Sequence, residues 1–312
     1  IYNVSVGLAG GAGVAVSGSL AVNTIQNTVH AQIRDASVTA TSGDIRIVAR
    51  DTASIAALAG NVAVSVGGRV AAGMAFAVNQ IFDTVYAGAV RSSLSATGDI
   101  VVQAAFAKPD DLSPGLNAQI STMAVSGAVA AGGSGANVGF GGSAVLNWIA
   151  NSITAEIGDT AAGQDVTAGG DIVVRASDES TINSLAGAVA LGLGSQGAGV
   201  AVGASLSYNY LGGAPAGNAR EHSISAQIRD TQGAVRGAHV QVASLFTGRI
   251  HNVTVAGSVA VGTAAVSVGG AVSVNRLNSK NEAGIRNARL VEALSAGGAP
   301  GVAVQARDDG YV

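Results

Sequence analysis

The chain copies itself five times, and this self-similarity constrains its fold more than any other feature. Ala21-Val-Asn-Thr-Ile25 returns as Ala77-Val-Asn-Gln-Ile81, Val145-Leu-Asn-Trp-Ile149, Ser207-Tyr-Asn-Tyr-Leu211 and Ser273-Val-Asn-Arg-Leu277. The shared asparagine is Asn23, Asn79, Asn147, Asn209 and Asn275, at spacings of 56, 68, 62 and 66 residues. Ala31-Gln-Ile-Arg-Asp35 returns at Ala155, Ala226 and Ala283, and Gly43-Asp-Ile45 returns at Gly98 and Gly170. These markers define one continuous array of units 1–54, 55–119, 120–181, 182–249 and 250–311. The Gly/Pro-rich stretches Lys108–Gly115 and Gly212–Asn218 read as loops inserted between regular pieces. Val312 stands where a sixth unit would start, and the chain opens at Ile1 without a signal-peptide pattern. The expectation is a piece cut in register from a longer protein.

Within each unit the apolar period is two, which means strand. Val70, Ala72, Met74, Phe76 and Val78 alternate with Ala71, Gly73, Ala75, Ala77 and Asn79, and units one and five do the same. One face thus carries large side chains and the other Ala, Gly and Ser. The large face is expected to point inward and the tiny face to be approached closely by a further layer. Charges gather instead after the marker strand (Arg34, Asp35; Arg229, Asp230; Arg286) and around each Gly-Asp-Ile segment, which predicts an exposed turn there in every unit.

Short Val-rich strands, a repeat and no helical period give an all-β fold, a β-solenoid of five repeats. A unit of about 60 residues has room for two or three coils, so about 20 residues per coil is expected, and some 10–15 coils would make a rod of roughly 50–70 Å. The alternative is a stack of antiparallel hairpins, with Gly-Gly turns at Val66–Val70 and Val268–Val272. The cadence Gly170-Asp-Ile-Val-Val-Arg-Ala-Ser177, then Ser180-Thr-Ile-Asn-Ser-Leu-Ala-Gly-Ala-Val-Ala190, then the asparagine marker, resembles the repeat arrays of filamentous-haemagglutinin-like and leukotoxin-type bacterial filamentous adhesins. The resemblance covers all five units. It implies a right-handed parallel β-helix, export from a Gram-negative bacterium, an extracellular cell-surface location, and a structural role as an adhesin stalk or filament wall. It brings no catalytic motif.

Composition narrows the function further. Only 11% of the 312 residues are charged, the net charge is -3, and there is no Cys. Such a chain has no disulfide framework, no thiolate metal site and no electrostatic case for nucleic acid. The uncharged stretches 112–155 and 180–219 are long enough to span a bilayer, but Gly and Pro interrupt both, so no membrane-spanning segment is expected. Gly192-Leu-Gly-Ser-Gln-Gly197 fits a dinucleotide fingerprint in spacing alone, because strand pattern follows it where a helix is needed. His30, His222, His239 and His251 share no repeat position and no metal spacing, and read as surface or turn residues. No cofactor is expected. Asp110-Asp111 and Asp308-Asp309-Gly310 are the candidate Ca²⁺ ligands, against a reading as solvated turns. No catalytic set emerges, so the chain is read as a non-enzyme, with a polysaccharide-active β-helix as the enzymatic alternative. The marker asparagines are the best-defined polar positions, either hydrogen-bonded in a ladder across coils or forming turns. Trp148, Tyr208 and Tyr210 flank two of them and offer a strip for sugar. Expected partners are further copies of the array and a host or cell-surface glycan or protein.

Overall fold

The computed structural model describes residues 1–67, 69–108, 118–213, 221–294 and 301–312. The first coil runs β1 (Tyr2–Gly11), β2 (Val14–Ile25), β3 (Thr28–Arg34), β4 (Ser37–Ala40) and β5 (Ile45–Asp51). Four further coils repeat that order, and like strands stack on like strands in five parallel sheets of five strands. We call these sheets A to E after β1 to β5. Every ladder is parallel, so the chain is a parallel β-helix and the hairpin stack is excluded. Val66 ends a sheet A strand and Val70 begins a sheet B strand that pairs in parallel with its own copies, while Val268–Val272 lies inside the sheet B strand Ala265–Leu277.

One repeat is one coil, which corrects the expectation of about 20 residues per coil. Asn23 lies opposite Asn79, Asn79 opposite Asn147, Asn147 opposite Asn209 and Asn209 opposite Asn275. Four strand spacings of about 4.8 Å put the first and last coils only about 19 Å apart. The physical reason is that the five strands of a unit differ from one another in length and pattern. Only a whole-unit turn brings each beside its own copy. Lys108–Gly115 falls between sheets E and A, and Gly212–Asn218 between sheets B and C. Residues 109–115 and 214–218 of these stretches lie outside the described residues.

Sheets C, D and E, with the near ends of A and B, enclose the main core. It consists of columns of branched side chains, such as Ile45–Ile100–Ile172–Val240 and Ile55–Ile120–Ile182–Ile250, capped by Phe106 and Phe246. Each such side chain contributes roughly 1.5–3 kcal/mol by leaving water.

Beyond this body, the 10- to 14-residue strands of sheets A and B continue as a two-sheet fin. Here the tiny face points inward and the large face outward, the reverse of the expected orientation. In β2, Ala15, Ser17, Ser19, Ala21 and Asn23 are buried, while Val14, Val16, Leu20 and Val22 are 57–64% exposed. The inner glycines explain the inversion. A Cβ on Gly141 would sit 2.5 Å from the Val189 carbonyl oxygen, and one on Gly203 would sit 2.3 Å from that of Gly257. The two backbones nearly touch, so no Val fits between them.

Candidate functional site

At the base of the fin, where both sheets enter the body, the five marker asparagines form one hydrogen-bonded column. Asn23 Nδ2 donates to Asn79 Oδ1 (2.8 Å), Asn79 to Asn147 (2.9 Å), Asn147 to Asn209 (2.8 Å) and Asn209 to Asn275 (2.8 Å). The sequence left this ladder and a turn-forming role open, and each residue lies within a sheet B strand, not in a turn. Asn79, Asn147 and Asn209 are wholly buried. A planar amide with a donor on one side and an acceptor on the other suits a 4.8 Å repeat, since each copy satisfies the next.

Sheet A supplies a second polar column that the sequence reading missed. Asn3 donates to Asn23 (2.8 Å), extending the ladder by one. Thr122 Oγ1 accepts from Asn79 (2.7 Å) and donates to Asn147 (2.8 Å). Ser184 and Ser207 both donate to Asn252 Oδ1 (2.7 and 3.0 Å). The signal was present in the unit starts, where Ile1-Tyr-Asn3 parallels Ile250-His-Asn252.

Two outer corners carry their own staircases. The turn between sheets C and D places Asp35, Arg91, Asp159, Asp230 and Asn287 at φ of 49–56°, one left-handed non-glycine residue per coil. Arg91 grips Asp35 through two bonds of 2.6 and 2.8 Å, and this guanidinium holds the Asp35 carboxyl below its usual range. Arg229 bonds Asp159 and Asp230. Asn287 and Arg229 in turn lower the pKa of Asp230. At the turn into sheet E, Asp44 Oδ1 accepts from the Asp99 amide (2.9 Å), Asp99 from Asp171 (2.8 Å) and Asp171 from His239 (3.1 Å). The charge clusters of the sequence therefore border recurrent turns, with Arg46, Arg50, Arg175 and Arg307 on the sheet E strands themselves. Asp51 and Asp178 turn inward and are 6% and 0% exposed.

These inward acids meet the corner between sheets B and C. Asp83 is 1% exposed. Burial raises its pKa to about 6 against the Asn27 amide bond that lowers it, and the Asp51 carboxylate adds to the rise. Two coils on, His222 Nε2 lies 3.3 Å from Asp178 Oδ2, both side chains wholly buried. His222 Nδ1 accepts from the Asn151 amide (3.0 Å), which puts the ring proton on Nε2, toward Asp178. Desolvation raises the pKa of Asp178 and lowers that of His222, favouring the uncharged pair. His222 is thus a core residue and not the surface histidine expected. His239 sits at a turn against Asp171, while His30 packs on Tyr86 and His251 on Tyr311.

On the outside of sheet C, Tyr86 donates to Glu156 Oε1 (2.7 Å) and Arg229 Nε to its Oε2 (2.8 Å). Burial and Glu156 raise the Tyr86 pKa, and Glu156 raises that of Arg229. Both carboxylate oxygens of Glu156 are engaged, so the group binds three coils together. Asp308 accepts from Ser279 (3.0 Å) and the Gly310 amide (2.9 Å), and Asp309 pairs with Arg307 (2.7 Å). Asp110 and Asp111 lie outside the described residues. Among the described residues, no three His, Asp or Glu side chains converge as metal ligands. The aromatic strip lies on the outer face of sheet B. Trp148 packs edge-on against Phe82 (4.7 Å), and Tyr208 and Tyr210 are parallel at 6.5 Å. The glycine fingerprint at 192–197 ends one fin strand and forms the tip turn, with the next strand beginning at Gly199. An open groove of about 450 Å³ crosses the base of the outer face of sheet A, between Tyr2 and His251 and alongside Leu58, Met123 and Leu185. No helix among the described residues is long and apolar enough to cross a membrane.

Comparison with known proteins finds no matching family model, curated protein or solved structure.

Proposed function

We infer that this chain is a structural segment of a secreted bacterial surface protein, the stalk of an adhesin or the wall of an extracellular filament. The observation that carries this reading is the use made of its polar side chains. The asparagine column and the Asp44–Asp99–Asp171 staircase each spend their donors and acceptors on joining one coil to the next. A binding or catalytic centre needs unlike residues gathered once, with capacity left for a ligand. In these two columns like residues recur coil after coil and satisfy one another. Export and a Gram-negative source rest on the family resemblance of the repeat cadence. Antibody raised against this segment should label intact producing cells and lose its signal after protease shaving. Labelling only after lysis would overturn the extracellular assignment.

A further inference from the structure

The outer face of sheet A is an apolar surface that the internal ladders do not explain; the outer face of sheet B, where Val14, Val16, Leu20, Val266 and Val268 are 55–64% exposed, is a second. Its outward positions run from Tyr2 at the base to Val66 and Val261 at the tip, and beyond the base row they are all Val, Leu, Met, Ala or Gly. Val6 and Leu8 are 70% and 80% exposed, and Val189, Val255 and Val261 are 51–57% exposed. Five strands at about 4.8 Å and some ten residues of strand at about 3.3 Å give an uncharged apolar face of roughly 24 by 33 Å, on the order of 800 Å². A soluble monomer rarely presents more than about 300–600 Å² of contiguous apolar surface.

We propose that this face docks against the same face of a second copy of the chain. This deepens the structural reading above and rests on it for its biological setting. The area is that of a standard protein interface, about 800 Å² from each partner. The relief of the face suits a rigid β surface. Each strand carries one outward glycine, Gly60, Gly127, Gly187 and Gly257 near the middle of the sheet and Gly10 toward the tip. A methyl placed on any of them meets nothing closer than 3.7 Å. These are holes, and in register beside Gly60 and Gly187 stand the knobs Val6, Val125 and Val255. Two such sheets packed face to face at about 10 Å place the knobs of one over the holes of the other. A lipid surface is the weaker fit. Burying the fin in hydrocarbon would also bury the unpaired edges of the first and last strands of sheets A and B, which hydrocarbon does not tolerate. Face-to-face docking leaves those edges in water.

The test is sedimentation of the 312-residue chain over a micromolar concentration range, with Val125→Lys/Val189→Lys on sheet A and Val268→Lys on sheet B as the control. All three sites are exposed, so unchanged circular dichroism is expected to show that each variant folds. The wild type and V268K should be dimeric, and the sheet A variant at least 100-fold weaker in association. A monomeric wild type, or a dimer indifferent to the two sheet A lysines, overturns the proposal. So does a wild type that stays monomeric and floats with phosphatidylcholine vesicles, which would assign the face to lipid. None of these results bears on cell-surface labelling, so this proposal and the functional reading can fail separately.

Discussion

Replacing Asn147 with Ala interrogates the ladder at its most buried point. Asn147 donates to Asn209 (2.8 Å) and accepts from Asn79 (2.9 Å) and Thr122 (2.8 Å), with no solvent access. Three hydrogen bonds at about 1 kcal/mol net each are lost, and Asn209 Oδ1 becomes an orphaned buried acceptor at about 1–3 kcal/mol more, so the expected loss is about 4–6 kcal/mol. Asn275 ends the column half-exposed, and water replaces what Asn275→Ala removes, so its cost is about 1 kcal/mol. Asn147→Asp keeps the acceptor and loses the donor unless the carboxyl is protonated, so its deficit should shrink as pH falls. Urea unfolding followed by far-UV circular dichroism gives all three values. Equal losses for N147A and N275A, or an N147D deficit independent of pH, would refute the claim that the column is a continuous buried ladder.

The thinness of the fin predicts that Gly203→Ala, whose Cβ meets the Gly257 carbonyl at 2.3 Å, costs about 1–3 kcal/mol. Outward Gly270→Ala, with nothing within 4 Å, should stay within about 0.5 kcal/mol of wild type in the same urea assay. Asp83 has a folded pKa of about 6 against 3.8 unfolded, so folding favours its protonated form. Its stabilisation is complete below pH ~3.8 and is lost as pH rises through ~6, by about 3 kcal/mol for roughly two units. Thermal melts should therefore show Asp83→Asn more stable than wild type at pH 7.5, with the gap closing toward pH 4. Phe246→Ala, at a wholly buried site beside His222, should cost about 3–5 kcal/mol by calorimetry.

Strand period and the presence of a repeat were legible because both are local and recur along the chain. Coil length was not. A unit of five short strands looks like several coils until each strand has to find its own copy. The orientation of the fin strands was illegible because both faces are apolar, so hydropathy favours neither. What decides is how closely two backbones approach across Gly141 and Gly203, a tertiary distance. The marker asparagines were found by recurrence, while Thr122 and Ser184 were missed because their column changes residue type from coil to coil. Asp51, Asp178 and His222 were misplaced at the surface. Each is buried by a partner that neighbouring residues in the chain do not reveal.

The central claim is that one repeat makes one coil. Arg46 and Ala303 occupy the same outward position in the first and last strands of sheet E, linked in register through Val101, Val173 and Gln241. The chain has no Cys, so Arg46→Cys/Ala303→Cys can be spin-labelled at those two sites alone. Pulsed electron resonance should give a separation near four strand spacings, about 19 Å before the label linkers are added. A separation above roughly 50 Å, as coils of about 20 residues would require, would contradict the account.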